Sequence, residues 1–215
     1  LEKEKIGAII FEIIQGEGGV LPISPDFVEA LKTCQQKGIL LIIDEVQTGI
    51  GRTGKLFAFE HFDFEPDIFT LAKALANGIP TGAMLAKNKY ASYFSAGKHG
   101  STFGGNPLAM ASANEVLKEI DSDFLEKVTD KGIFFLKLMT EKLSVKATVK
   151  SIRGLGLMIG IQLTDEKKVP EVLALLRENG LLALSAGHDV IRLLPPLVMT
   201  KVELQKGAEL LEKIL

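Results

Sequence analysis

"IIDEVQTGIGRTGK", residues 42–55, admits three incompatible readings, and the choice among them decides the fold. Gly49, Gly51 and Gly54 spell the G-x-G-x-x-G of a dinucleotide site, and Gly49 to Lys55 come close to a phosphate-binding P-loop. A third reading puts the chemistry in Asp44, before the glycines. The dinucleotide fingerprint needs its glycines between a strand and a helix, so that the pyrophosphate meets the helix amino terminus. The next residues here are "KLFAFEHFDFEPD", rich in aromatics and punctuated by Pro66, so the context is missing. The P-loop fails at Leu56, which comes after Gly54 and Lys55 where a Ser or Thr hydroxyl must reach magnesium. Nor can Asp44 serve as the metal-binding acid of such a site, because only four residues separate it from Gly49.

The third reading starts from Asp44 at the carboxyl end of an apolar run, "ILLIIDEV", the place where open α/β sheets put their ligands. Desolvating a carboxylate there is costly unless a cation meets it, and a protonated heterocyclic nitrogen is one such cation. A carboxylate capping a local turn explains the residue equally well, and Asp44 alone does not separate the two. Lys73 does. It ends a second strand-like run, "DIFTLAK", and is succeeded by the small residues and turn of "ALANGIPTG". A lysine in such a place is ordinarily a solvated strand end, yet a desolvated amine attacks carbonyls. An acid and a lysine at neighbouring strand ends are what pyridoxal phosphate requires: the lysine forms the imine and the acid keeps the ring nitrogen protonated.

The rest of the chain is consistent with an α/β fold. "GAIIFEII" reads as a buried strand, Pro25 to Gln36 as a helix capped by Ser24 and closed by Gly38, and "GAMLAKN" as a further strand. From Asn106 onward there are two long helices, "PLAMASANEVLKEI" and "DFLEKVTDKGIFFLKLMTEKL". Strands come next at "ATVKSIRG", "LGLMIGIQL", "GLLALSA" and "VIRLLPP", with helices near 167–179 and 201–214. The expected domains are residues 1–105, a mostly parallel-sheet α/β domain, 106–144, connecting helices, and 145–215, a small α+β domain.

The 215 residues are 47% hydrophobic and 24% charged, enough to bury a core. A formal net charge of -2, with the cations scattered among acids, argues against a nucleic-acid partner. Cys34 is the single cysteine, which excludes a disulfide framework within the chain and suits a reducing cytoplasm. His61, His99 and His188 are far apart and read as ordinary loop or surface residues, so no metal site is expected. No apolar run approaches the length of a membrane span.

"DEVQTGIGRTG", "LAKALANGIPTGAM", "HGSTFGGNPLA", "QGEGGV" and "RGLGLMIGI" resemble, in order and spacing, the class-III (ornithine-type) aminotransferases of the pyridoxal-phosphate fold-type-I superfamily. The resemblance covers nearly the whole chain. It implies that Lys73 binds the cofactor and moves the proton between substrate carbon and cofactor, and that Asp44 pairs with the pyridinium nitrogen. Gln47 is implied near the phenolic oxygen, with Glu45 and Val46 beside it in the cofactor-binding turn. Thr102 would reach the phosphate of a neighbouring subunit's cofactor, making a homodimer part of the active site, and Ser101 would contact substrate. Arg192 resembles the arginine that binds a substrate carboxylate, and Glu17 the acid that pairs with it and moderates its charge while the amino donor binds. The glycines after Asp44 are then a sharp turn, Arg52 an ion-pairing residue and Arg153 a structural one.

"GKHGSTFGGNPLA" and "LLALSAGHDVIRLLPPLVM" point within that family to transfer from N-acetylornithine to 2-oxoglutarate. Ornithine, 4-aminobutyrate or succinyldiaminopimelate as donor, or a non-catalytic fragment, are the alternatives. Ile13 departs from the family's proline in "EPIQGE" and changes only a local turn preference. The family's phosphate-binding glycine and threonine segment, ring-stacking aromatic residue and further substrate arginine have no counterpart here. They are expected upstream of Leu1, and this chain is then the carboxy-terminal part of the enzyme.

Overall fold

The computed structural model describes residues 6–215. In chain order the strands are β1 (Ala8–Phe11), β2 (Ile14–Gln15), β3 (Leu21–Pro22), β4 (Leu40–Asp44), β5 (Ile68–Leu71), β6 (Ala83–Ala86), β7 (Val149–Leu155), β8 (Met158–Leu163), β9 (Leu184–Ala186) and β10 (Val190–Leu193). The helices are α1 (Pro25–Gln36), α2 (Pro107–Glu119), α3 (Ser122–Leu143), α4 (Val169–Glu178) and α5 (Lys201–Ile214). They form two compact units. One comprises the described residues up to Ile13, Ile23–Ile50 and Leu56–Asp121; the other comprises Ile14–Pro22, Gly51–Lys55 and Ser122–Leu215.

The first unit is built on a sheet of order β1-β4-β5-β6. β1, β4 and β5 run parallel, with Ile42 facing Ile10 on one side and Ile68 on the other. β6 is antiparallel to β5, because the chain doubles back through a 3-10 turn at Lys73–Ala76 and a left-handed Asn77. The run "GAIIFEII" is not one strand. It divides into β1, which is half exposed with Ile10 at 67%, and β2, which pairs with β3 in a separate two-stranded sheet. β1 borders β4 alone among the described residues, so one of its edges is not covered by a strand.

α1 begins where the sequence places it: Ser24 Oγ accepts from Phe27 N at 3.2 Å and Pro25 opens the first turn. Val28, Leu31 and Cys34 form its buried stripe. α2 starts at Asn106, whose side chain accepts from Ala109 N at 2.9 Å. It packs on the Lys73–Ala76 turn, where Ser112 Oγ donates to Ala76 O at 2.8 Å.

The second unit carries an antiparallel sheet of order β7-β8-β10-β9. Alternation divides its faces. Ile159, Ile161, Leu163, Ile191 and Leu193 meet Val128, Phe135 and Met139 of α3, Leu176 of α4, and Leu204 and Leu211 of α5 in one core. Gly160, Gln162, Val190, Arg192 and, on β7, Arg153 belong to the opposite face by register. α5 is opened by a capping box in which Thr200 and Glu203 bond reciprocally.

Candidate functional site

Asp44 is the last residue of β4 and stands in register with Thr70 of β5, the strand that leads to Lys73. The backbone continues that pairing past the strand end, Glu45 N donating to Thr70 O at 3.0 Å. The acid and the lysine therefore lie at the carboxyl ends of two adjacent parallel strands. Asp44 is half-buried, and its Oδ1 accepts from Val46 N at 2.9 Å, which fixes the carboxylate against the adjoining turn. Gln47 is half-buried on that turn, which Gly49 N closes by donating to Glu45 O at 2.9 Å. A Cβ on Gly49 would approach Glu45 O to 2.9 Å, so this glycine is required by close packing. Gly51 and Gly54 have φ of +84° and +89°, and no α-helix comes after them before α2. The glycines make a turn, and no strand-glycine-helix phosphate cradle is formed.

Lys73 opens the 3-10 turn with φ of +44°, a left-handed conformation in which a lysine is disfavoured by about 1 kcal/mol. The turn is held by its neighbours: Leu75 is 5% and Ala76 0% exposed, and Leu75 N donates to Ala72 O at 2.9 Å. Strain in a non-glycine residue that the surrounding packing maintains is a mark of functional placement. The Lys73 side chain is exposed.

Glu45 lies inward, 1% exposed. Its Oε1 accepts from Phe59 N at 2.9 Å and its Oε2 from the Thr48 hydroxyl. Burial pushes its carboxyl pKa up, while the bonds from Thr48, Phe59 and Ala58 pull it partway back. Phe57 and Phe59 stack with ring centroids 5.5 Å apart and both meet Phe69 at steep angles, 4.8 and 5.4 Å away, which joins the held segment to β5. Sequence reading places Glu45 in the cofactor turn but gives no sign of these contacts. The exposed residues Ser101 and Thr102 precede α2, with Ser101 Oγ accepting from Gly104 N at 3.0 Å.

The remaining two predicted residues lie in the second unit. Arg192, on β10, is 5% exposed, and its Nη1 meets Glu17 Oε1 at 2.8 Å. The Glu17 side chain is 71% exposed on the loop between β2 and β3, and Gly187 N donates to its carbonyl at 2.6 Å. Among the described residues, Arg52 is not paired with an acid. Its guanidinium donates to Leu157 O at 3.0 Å and Pro195 O at 2.6 Å, and burial lowers its pKa to about 10. Among the described residues, no group of three or more His, Cys, Asp or Glu is placed to hold a metal. No helix among them is long and apolar enough to cross a membrane.

A side-chain acid and an amine at adjacent strand ends form a donor set that fits a protonated heteroaromatic ring bearing an aldehyde. Two of the residues implied for such a ring, Asp44 and Lys73, are thus brought together in one unit, and the two implied for a substrate carboxylate are paired in the other.

The family model described as aminotransferase class-III matches residues 1–215. The chain is 99% identical over 215 residues to an acetylornithine aminotransferase of Lactococcus lactis subsp. lactis (strain IL1403), covering all of this chain and 57% of that protein. It is 51% identical over 216 residues to an acetylornithine aminotransferase of Streptococcus mutans, of which it covers 56%. The chain thus spans little more than half the length of these curated relatives. Among solved structures, the acetylornithine aminotransferase of Elizabethkingia anophelis superposes with a TM-score of 0.88 at 37% identity, over 96% of this chain and 53% of that one. The ornithine aminotransferase of Toxoplasma gondii ME49 gives 0.89 at 36% identity, over 96% and 50%. The fold is the fold-type-I α/β fold of these transaminases.

Proposed function

The chain belongs to the class-III aminotransferases, and from that premise we propose that it carries the lysine, the ring-nitrogen acid and the carboxylate-binding arginine of a pyridoxal-phosphate enzyme transferring an amino group from N-acetylornithine to 2-oxoglutarate. The observation that carries this reading is the placement of Asp44 and Lys73 at the ends of the paired strands β4 and β5. When bound, the cofactor supplies an electron sink that makes the proton on the amino-bearing carbon removable. Asp44 holds the proton on the ring nitrogen, Lys73 anchors the cofactor and moves the substrate proton, and Gln47 lies on the same turn to hydrogen-bond the ring oxygen. Arg192 receives a substrate carboxylate through its planar fork, and Glu17 neutralises it while a donor is bound. A donor with one carboxylate and an acceptor with two can then share one arginine.

Ser101 as a substrate contact and Thr102 as a ligand of a neighbouring subunit's cofactor phosphate belong to the same reading. A homodimer is supported by the exposed apolar side chains around them: Phe103 is 82%, Tyr93 75%, Leu108 68% and Phe94 47% exposed. A cytoplasmic location agrees with the single cysteine, Cys34, which is buried and free. The test is the full-length protein with pyridoxal phosphate and 2-oxoglutarate, offered N-acetylornithine, ornithine, 4-aminobutyrate and succinyldiaminopimelate in turn. Glutamate formed fastest with N-acetylornithine supports the assignment; a faster donor among the others replaces it, and no glutamate with any of them refutes it. The chain spans 57% of the length of one such relative, and in this reading the 215 residues by themselves bind the cofactor weakly. A cofactor titration against the full-length protein checks this.

A further inference from the structure

The sheet face opposite the helices in the second unit is organised around a second arginine. Arg153 on β7 and Arg192 on β10 both stand in register with Gly160 of β8, one on each side of it. A Cβ on Gly160 would come within 2.9 Å of Val20 Cβ, so the missing side chain is what admits Val20 to this face. Val20 is 0% exposed and has φ of +53°, a left-handed conformation that a β-branched residue adopts only under constraint. Arg153 supplies that constraint. Its Nε donates to Gly19 O at 3.1 Å and Val20 O at 3.0 Å, and its Nη2 to Gly19 O at 2.6 Å.

The guanidinium is itself fixed. Nη1 donates to Ser151 Oγ at 3.0 Å and to Gln162 Oε1 at 2.9 Å, and Gln162 Nε2 donates to Asp189 Oδ2 at 2.7 Å. Burial lowers the Arg153 pKa, and the nearby Asp189 charge counters that. Glu17 lies two residues before Gly19 on the same loop. We infer that Arg153 is a positioning residue for substrate selection: by gripping Gly19 and Val20 it holds the loop in the shape that keeps Glu17 on Arg192, and so sets how easily a second substrate carboxylate displaces Glu17. This rests on the proposed function. A tethered carboxylate competes with a free one at an effective concentration set by how tightly its tether is held. Loosening the loop therefore favours the dicarboxylate acceptor and disfavours the donor that needs Arg192 neutralised.

The test is steady-state kinetics of the full-length protein reconstituted with pyridoxal phosphate, with KM for 2-oxoglutarate and for N-acetylornithine measured separately. Arg153→Gln is expected to lower the first and raise the second, changing their ratio by about threefold to tenfold. Val20→Gly, which removes the buried side chain seated over Gly160 and frees the loop backbone while leaving the arginine in place, should move the ratio in the same direction by less. It also serves where Arg153→Gln does not fold. The decisive readout is the double variant: in a Glu17→Gln background, neither substitution should change the ratio further, because Arg153 acts through Glu17. A ratio unchanged in both single variants overturns the inference. So does a shift that persists undiminished in the Glu17→Gln background. A parent protein that turns over neither substrate refutes the functional reading itself, and the inference with it.

Discussion

The two ends of the first sheet treat their acids differently. At the amino end of β5, Asp67 is 3% exposed and surrounded by donors: Leu41 N at 3.0 Å, Gln35 Nε2 at 3.3 Å, Tyr90 OH at 3.0 Å and Lys89 Nζ at 3.3 Å. Burial acts to raise its pKa, but these bonds outweigh it and the net shift is downward. At the carboxyl end, Glu45 is equally buried but takes hydrogen bonds from neutral groups, and its net shift is upward. Beside it, Asp44 is half-buried and Lys73 is exposed on a strained turn. The amino end ties α1, β4, β5 and the segment after β6 together. On the proposed function, the carboxyl end presents an acid and an amine for chemistry. Substitutions at one end should therefore change stability and those at the other turnover.

The largest expected effect is that of Lys73→Ala, which should reduce turnover by on the order of 10⁴-fold or more with little change in the unfolding midpoint. Asp44→Ala comes next, with a loss of about 10² to 10⁴-fold in the single-turnover rate constant and an altered cofactor absorption spectrum. Asp67→Ala should do the reverse. Leaving the buried Leu41 N unsatisfied costs about 1–3 kcal/mol of stability in a denaturant titration, with kcat per folded molecule unchanged. A fall in kcat for Asp67→Ala at full folding would break the distinction between the two ends.

The smallest effect is in the pH dependence of stability from the acid side to the neutral side of the ordinary carboxylate range. Asp67, with its pKa depressed, contributes stability that is present at neutral pH and lost as pH falls through its folded value. Glu45, with its pKa raised, contributes stability that is fully present below the ordinary carboxylate value and lost as pH rises through its folded value. Asp67→Asn should therefore be most damaging at neutral pH. Glu45→Gln, which keeps an acceptor for Phe59 N without a charge, should be close to neutral or slightly stabilising there, by less than about 1 kcal/mol. Chemical denaturation of both variants across that range checks the opposite signs.

Much of this was legible locally. The cap of α1, the apolar runs of β4 and β5, and the acid and lysine at their ends are written in consecutive residues, because strand burial and helix capping act over one turn or one strand. The glycines after Asp44 could be separated from a phosphate loop by Leu56 and the aromatic, non-helical run beyond it. The antiparallel direction of β6 was not legible, since a short connection fits either sense until the turn at Asn77 is known. Neither was the break in "GAIIFEII", whose second half pairs elsewhere. The supports of the site were hidden for the same reason: Arg153 meets Gly19 across 134 residues, and Glu45 meets Phe59 across 14. No periodicity encodes a hydrogen bond to a distant carbonyl, and Val20 gives no sign in sequence of its left-handed backbone.

Lys73 is the residue on which the functional assignment depends. Its most direct test is borohydride reduction of the full-length protein with pyridoxal phosphate and then peptide mapping. A pyridoxyl group on Lys73 is the predicted result; a label on another lysine, or none, would contradict it.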